Sequence, residues 1–249
     1  MGCGSSGPVA PRAGTAALSA RIQSSLQKKL ADAEGSSMKN PTLEKIVLKM
    51  ERSKQCLGIL KSIFKAYSED GGKTLGRQGL ATAMSRLQSS LDQAQIDELF
   101  RFIDIDISNA IEFREFLIAL CVCSLLGKLT VDGITRHDDK GDGATVRAKS
   151  WVSNLSERRI ECMHMLELII VAYLLFDPKG RGAITMKQVE QVLEEHSKNG
   201  GSHSDHFLSK QMWKDMDWDK SGSIDFAEFV WGFSKWTDFD VLEEGEEET

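Results

Sequence analysis

Asp217-Trp218-Asp219-Lys220-Ser221-Gly222-Ser223-Ile224-Asp225-Phe226-Ala227-Glu228 is the stretch whose reading decides the fold. Carboxylates stand at its first, third and ninth positions, and Ser221 offers a hydroxyl at the fifth. The Ser223 carbonyl is available at the seventh, and Glu228 closes the run with a carboxylate able to bind through both oxygens. Gly222 sits at the sixth, where the chain must turn through positive φ. Hard divalent cations of the size of Ca²⁺ take six to eight such oxygens, and a loop of this spacing delivers them. Ile224, at the eighth, is the residue through which such a loop pairs with a partner.

Asp104-Ile105-Asp106-Ile107-Ser108-Asn109-Ala110-Ile111-Glu112-Phe113-Arg114-Glu115 repeats the pattern. Asp104, Asp106, Ser108, Glu112 and Glu115 are candidate side-chain ligands, and Ala110 offers its carbonyl. Asn109 replaces the turn glycine. Asparagine is among the residues that best tolerate a left-handed backbone, so the loop can still close. Two such loops identify EF-hand helix–loop–helix units, which normally occur in pairs. One repeat upstream of each lies a degenerate copy. The loop from Ser68 to Gly79 puts Leu75 at the eighth position but has Gly79 where the closing carboxylate belongs. The loop from Asp177 to Gln188 keeps Asp177, Gly182 and Ile184 in register. It places Lys179 and Arg181 at the third and fifth positions and Gln188 at the twelfth. Two cations inside a cation cage repel the ion, so both degenerate loops read as structural partners.

The flanking segments carry helical periodicity. Leu43, Ile46, Val47, Met50, Leu57, Leu60 and Phe64 lead into the first loop. Ile96, Leu99, Phe100 and Ile103 enter the second, and Phe113, Phe116, Leu117, Leu120 and Val122 leave it. Met165, Leu168, Ile169, Ala172, Tyr173 and Phe176 enter the third loop. Phe207, Met212, Trp213 and Met216 enter the fourth, and Phe226, Phe229, Val230 and Phe233 leave it. The apolar runs 116–127 and 166–176 are too short to cross a bilayer and read as buried helices. The predicted fold is all-α: two EF-hand-pair lobes with short antiparallel β contacts between paired loops. The predicted boundaries are a flexible basic arm at 1–41, a first pair at 42–127, a linker at 128–150, a second pair at 151–237 and an acidic tail at 238–249. The run Asp138-Asp139-Lys140-Gly141-Asp142-Gly143 invites a fifth loop, but Lys140 and Lys149 fall on ligand positions, so it reads as linker.

With 27% charged residues, four prolines and a net charge of −6, the chain reads as soluble and acidic. That balance argues against nucleic-acid binding. No nucleophile elbow, phosphate loop or kinase signature is present, so neither catalysis nor a small-molecule substrate is expected. Cys56, Cys121, Cys123 and Cys162 lie in predicted helices without zinc spacing and read as buried thiols. Met1-Gly2-Cys3-Gly4-Ser5-Ser6 meets the pattern for N-myristoylation of Gly2, and Cys3 is an S-palmitoylation acceptor beside it. Two acyl chains would make membrane residence stable where one would not.

On these residues the chain resembles the EF-hand calmodulin superfamily, and more narrowly plant-type N-acylated calmodulin-like proteins. The carriers are Met216-Asp-Trp-Asp-Lys-Ser-Gly-Ser, Glu115-Phe-Leu-Ile-Ala-Leu-Cys, Ile46-Val-Leu-Lys-Met, Trp236 and the acidic tail. The resemblance covers about residues 40–249 and implies a calcium sensor with no catalytic activity of its own. The expectation is therefore two Ca²⁺ sites, with Mg²⁺ the other hard cation these oxygens could take at rest. A calcium-opened groove would receive a target protein's helix. Acyl chains would hold the protein on the cytosolic face of a membrane, the plasma membrane foremost. Two alternatives stand beside this: a calcium-stabilised regulatory subunit of an enzyme, of the calcineurin B type, and a calcium buffer.

Overall fold

Leu57, Leu60, Ile63 and Phe64 recur at three- and four-residue intervals, and all four are buried. That stripe is what a helix needs to hold against a core. The computed structural model describes residues 15–33, 45–46, 49, 54–87, 89–129, 148–198 and 210–236. In chain order the elements are α1 (Ala16–Ala33), α2 (Lys54–Tyr67), α3 (Arg77–Arg86), α4 (Gln93–Ile103), α5 (Phe113–Leu125) and α6 (Ala148–Phe176). There follow β1 (Ala183–Thr185), α7 (Met186–Lys198), α8 (Lys210–Met216), β2 (Ser223–Asp225) and α9 (Phe226–Trp236). The chain is mostly helical, and its strands are three residues long. It divides into two compact units, one of residues 50–168 and one of residues 1–49 with 169–249.

In the unit of residues 50–168, α2, α3, α4 and α5 pack in sequence, and α2 also meets α5. Phe64 stands edge-on to Phe113 at 5.6 Å and against Phe116 at 5.7 Å. α5 is buried almost all round, from Glu115 to Cys123. This is why its sequence looks uniformly apolar rather than striped. α4 begins at Asp92, whose side chain accepts from the Gln95 amide at 2.8 Å while Gln95 Oε1 accepts from the Asp92 amide at 3.2 Å. This reciprocal cap satisfies two N–H groups that the first turn cannot. The loops on either side of α3 and α4 meet through Leu75 and Ile111. Each amide donates to the other's carbonyl, at 2.9 and 2.8 Å.

In the other unit the aromatic cluster is Tyr173, Phe226, Phe229, Phe176 and Phe233. Tyr173 lies edge-on to Phe226 at 5.2 Å and to Phe229 at 5.4 Å. Phe229 stacks on Phe233 at 5.4 Å. Burying each such ring stabilises the fold by about 1.5–3 kcal/mol. β1 pairs antiparallel with β2, setting Ile184 opposite Ile224. Gly232 lies so close to the Met216 side chain that a Cβ there would force Met216 to move.

Two sequence expectations are corrected. Residues 16–33 were expected inside a flexible arm, but they form helix α1, with Leu18, Ile22 and Leu26 buried. Apolar residues four apart supply the burial that holds it, and that spacing was present in the sequence. Of the expected linker at 128–150, Leu129 is buried and residues 148–150 open α6. The rest of that stretch, Phe207, the acidic tail, and Gly2 with Cys3 lie outside the described residues. No described helix is long and apolar enough to cross a membrane.

Candidate functional site

The four loops differ in what closes them. In residues 217–228, Asp217 sits at the end of α8 with its amide bonded to the Trp213 carbonyl. Its Oδ2 accepts from the Gly222 amide at 3.1 Å, pulling the turn inward. Asp219 Oδ1 accepts from the Ser221 amide at 2.9 Å, and Ser221 Oγ donates to the Ser223 carbonyl at 2.9 Å. Glu228 Oε2 accepts from the Asp225 amide at 2.9 Å, and Asp225 Oδ1 accepts from the Glu228 amide at 2.8 Å. That exchange holds Glu228 at the start of α9, facing the loop.

Residues 104–115 repeat most of these bonds. Asp104 Oδ2 accepts from the Asn109 amide at 3.2 Å, and Asp106 Oδ1 from the Ser108 amide at 3.0 Å. Ser108 Oγ donates to the Ala110 carbonyl at 2.8 Å. Glu115 accepts from the Ile105 and Glu112 amides at 2.7 and 2.9 Å. Asn109 turns at φ 58° where Gly222 turns at 79°, so asparagine does close the loop. Ile107 and Lys220, both at the fourth position, share φ values of 59° and 57°. Ile107 is also a β-branched residue 78% exposed in a left-handed backbone, an uncommon and strained combination.

Each loop gathers three carboxylates. One oxygen each from Asp104, Asp106 and Glu115 lies within 4.8 Å of the others, and so it is for Asp217, Asp219 and Glu228. Within these clusters Asp104 Oδ1, Asp217 Oδ1 and Glu228 Oε1 are buried yet accept no hydrogen bond. Buried carboxylate oxygens without donors are costly, and a cation is what would satisfy them. Burial, with the charge of Asp225 second, pushes the Glu228 carboxyl up to about 8. Burial likewise pushes Glu115 up to about 7, with Asp106 and Asp104 adding to the shift. Burial also raises Asp217, whereas hydrogen bonds from Ser108 hold Asp106 low. The oxygen-only donor set suits a hard cation.

The two degenerate loops are closed from within. Asp177 is fully buried, and its Oδ2 accepts from the Gly182 amide at 2.8 Å, as the first residues of the carboxylate-rich loops do. Gln188 takes the place of the closing glutamate. Its Oε1 accepts from the Thr185 amide and hydroxyl at 2.9 and 2.7 Å, and its Nε2 donates to the Phe176 carbonyl at 3.1 Å. Asp177 Oδ1 also lacks a hydrogen bond, but among the described residues it belongs to no cluster of three metal-ligating side chains. In residues 68–79, Asp70 accepts from the Lys73 and Thr74 amides and the Ser68 and Thr74 hydroxyls at 2.8–3.1 Å. These donors hold its carboxyl well below the usual range. A side chain at Gly79 would strike the Tyr67 carbonyl at 2.8 Å, so no carboxylate can stand there without displacing α2's end. Sequence reasoning counted Gln188 only as a missing ligand, whereas it closes its loop. The Gln188-to-Thr185 spacing, matching Glu228 to Asp225, was the available signal.

The helix-flanked, pairwise-joined loops define a class of protein that comparisons with known chains narrow further. No protein-family model matches the chain. It is 27% identical to the probable calcium-binding protein CML21 of Arabidopsis thaliana over 226 residues, 91% of this chain and 87% of that one. It is 23% identical to the probable calcium-binding protein CML22 of the same plant, over 80% of this chain and 79% of that one. It is 25% identical to troponin C isoform 1 of Drosophila melanogaster, over 72% of this chain and 93% of that one. These likenesses support an EF-hand, calmodulin-like family for the chain.

Proposed function

We propose that this protein is a calcium sensor built from four EF-hands in two pairs, with one ion site in each pair. The observation that carries the reading is the paired carboxylate clusters with their unbonded buried oxygens. Calcium is the ion named for the two plant relatives, and the all-oxygen donor set fits it. Asp217, Asp219, Ser221, Asp225, Glu228 and the Ser223 carbonyl would hold one ion. Asp104, Asp106, Ser108, Glu112, Glu115 and the Ala110 carbonyl would hold the other. A bound ion supplies the positive charge that lets three close carboxylates ionise together.

Glu115 and Glu228 link ion binding to helix position, because each begins the helix that leaves its loop. Both stand at positions whose amide contacts already tie loop to helix. A shift of either side chain toward an ion would carry α5 or α9 with it, and α5 and α9 bring Phe116, Phe229 and Phe233 to the cores. On this reading the outcome is an apolar groove that receives a target protein's helix. Titrating calcium into the protein with an apolar fluorescent dye tests it. The dye signal should rise on saturation and fall with chelator. Saturable calcium binding with no change in dye signal would leave a calcium-binding protein that is not a sensor of this type.

The reading extends to the cytosolic face of a membrane through acyl groups on Gly2 and Cys3, which meet the modification pattern. Labelling cells with an alkyne fatty acid checks it. Myristate should enter the wild type and not Gly2→Ala, and palmitate should require Cys3. No label in the wild type would place the protein away from the membrane.

A further inference from the structure

The third loop, residues 177–188, has lost its ion ligands yet keeps two glycines, and both face α1. Gln27 donates from Nε2 to the Gly180 carbonyl at 3.3 Å, and Gln23 donates to the Arg181 carbonyl at 3.0 Å. Residues four apart lie one above the other on a helix, so two amides reach two consecutive carbonyls. Leu18, Ile22 and Leu26 are buried on the same helix, and α1 falls in the same compact unit as residues 169–249.

Gly180 is the loop glycine that α1 covers most closely. It holds the fourth position of its loop at φ 57°. Ile107 and Lys220 hold the fourth positions of the carboxylate-rich loops at 59° and 57°. The turn therefore accepts a side chain at some strain, and backbone freedom is only part of the reason for a glycine at 180. The other part is α1, which crowds the space a side chain would take. A Cβ on Gly180 would stand 3.0 Å from Gln27 Cγ and Leu30 Cδ1, and 3.3 Å from Gln27 Cα. Gly182 shares the conformation of Gly222, at φ 80° and 79°. Yet a Cβ at 222 meets nothing within 4 Å, while one at 182 would lie 3.7 Å from Gln23 Cβ.

The geometry points to a helix-docking seat on the third loop, with α1 as its resident ligand. The loop has exchanged an ion for a helix. Gly180 and Gly182 make the floor, and the Gly180 and Arg181 carbonyls receive two glutamine amides spaced one helical turn apart. The seat stands whether or not the other loops bind an ion.

Two measurements on the full chain test it, both in a Cys3→Ser background. The first is the double variant Gln23→Cys/Gly182→Cys. The 3.7 Å separation of the two Cβ positions matches disulfide geometry. Mild oxidation should close an intramolecular bond, seen as a linked peptide by mass spectrometry, whereas Lys28→Cys/Gly182→Cys should stay open. Equal linkage in both pairs, or none in the first, overturns the seat. The second variant is Gly180→Lys, which places at 180 the residue that position 220 already carries at the same φ. Amides of residues 16–33 should exchange roughly tenfold faster or more, while those of Ile184 and Ile224 keep their protection. Unchanged exchange in α1 overturns the proposal, and equal loss at Ile184 counts against a seat specific to α1.

Discussion

Ile184 and Ile224 lie directly opposite one another in the β1–β2 ladder, and both are buried. One comes from the loop that Gln188 closes and the other from the carboxylate-rich loop of residues 217–228. The degenerate loop therefore supports its partner through packing and backbone hydrogen bonds. Ile184→Ala should destabilise this unit by about 2–5 kcal/mol, the range for truncating a buried isoleucine. It should also weaken calcium binding at residues 217–228, although residue 184 touches no ligand. Urea unfolding and calorimetry read both effects. Lost stability with unchanged affinity would mean the ladder does not couple the loops.

Glu228→Gln separates ion binding from loop closure. Gln188 shows that an amide can accept the same backbone hydrogen bond at the twelfth position. The variant should keep its helix content and lose one of two calcium-binding steps in calorimetry, and Glu115→Gln should lose the other. One step in the wild type, removed by Glu228→Gln alone, would leave residues 104–115 without an ion.

The ion-free protein should lose stability as pH rises. Folding raises Glu115 to about 7 and Glu228 to about 8, so the fold binds more protons than the unfolded chain above the ordinary glutamate value. The stabilisation from these two groups is complete below that value. It is lost as pH climbs through 7 and 8. Thermal melts in chelator from pH 6 to 9 should fall across that window, and excess calcium should flatten the fall. Melts that rise with pH in chelator would sink the argument.

Cys121 and Cys123 should be silent to thiol reagents in the native state. Both are fully buried, and burial pushes Cys123 up to about 12 and Cys121 higher still. Thiolate is the reactive form, so neither access nor charge favours reaction. A Cys3→Ser variant at pH 8 should show no prompt colour with a disulfide reagent, and all remaining thiols should appear in denaturant. Fast native reaction would mean α5 opens readily.

Asp92→Ala removes the reciprocal cap on α4 and should cost about 1 kcal/mol. Asp92→Asn should recover most of that, since asparagine caps nearly as well. Equal loss in both would point to the charge rather than the hydrogen bond.

Much of this was legible in the chain itself. The loops of 104–115 and 217–228 were readable because their chemistry is packed into twelve consecutive residues. The structure brings Asp104, Asp106 and Glu115 together, and likewise Asp217, Asp219 and Glu228. The pairing residues Leu75, Ile111, Ile184 and Ile224 were readable from register alone. Helix α1 carried its stripe of Leu18, Ile22 and Leu26 openly, but a glycine- and serine-rich start to the chain concealed it.

The sequence by itself determined which loops hold carboxylates and which have lost them, because ligand spacing is a local property. Only the tertiary structure decided what the third loop does instead. The contacts of Gln23 and Gln27 with Arg181 and Gly180 join residues more than 150 positions apart. No periodicity records such a meeting. Its trace in the sequence is one glycine at position 180, and that glycine acquires meaning only when α1 is seen lying where its side chain would be.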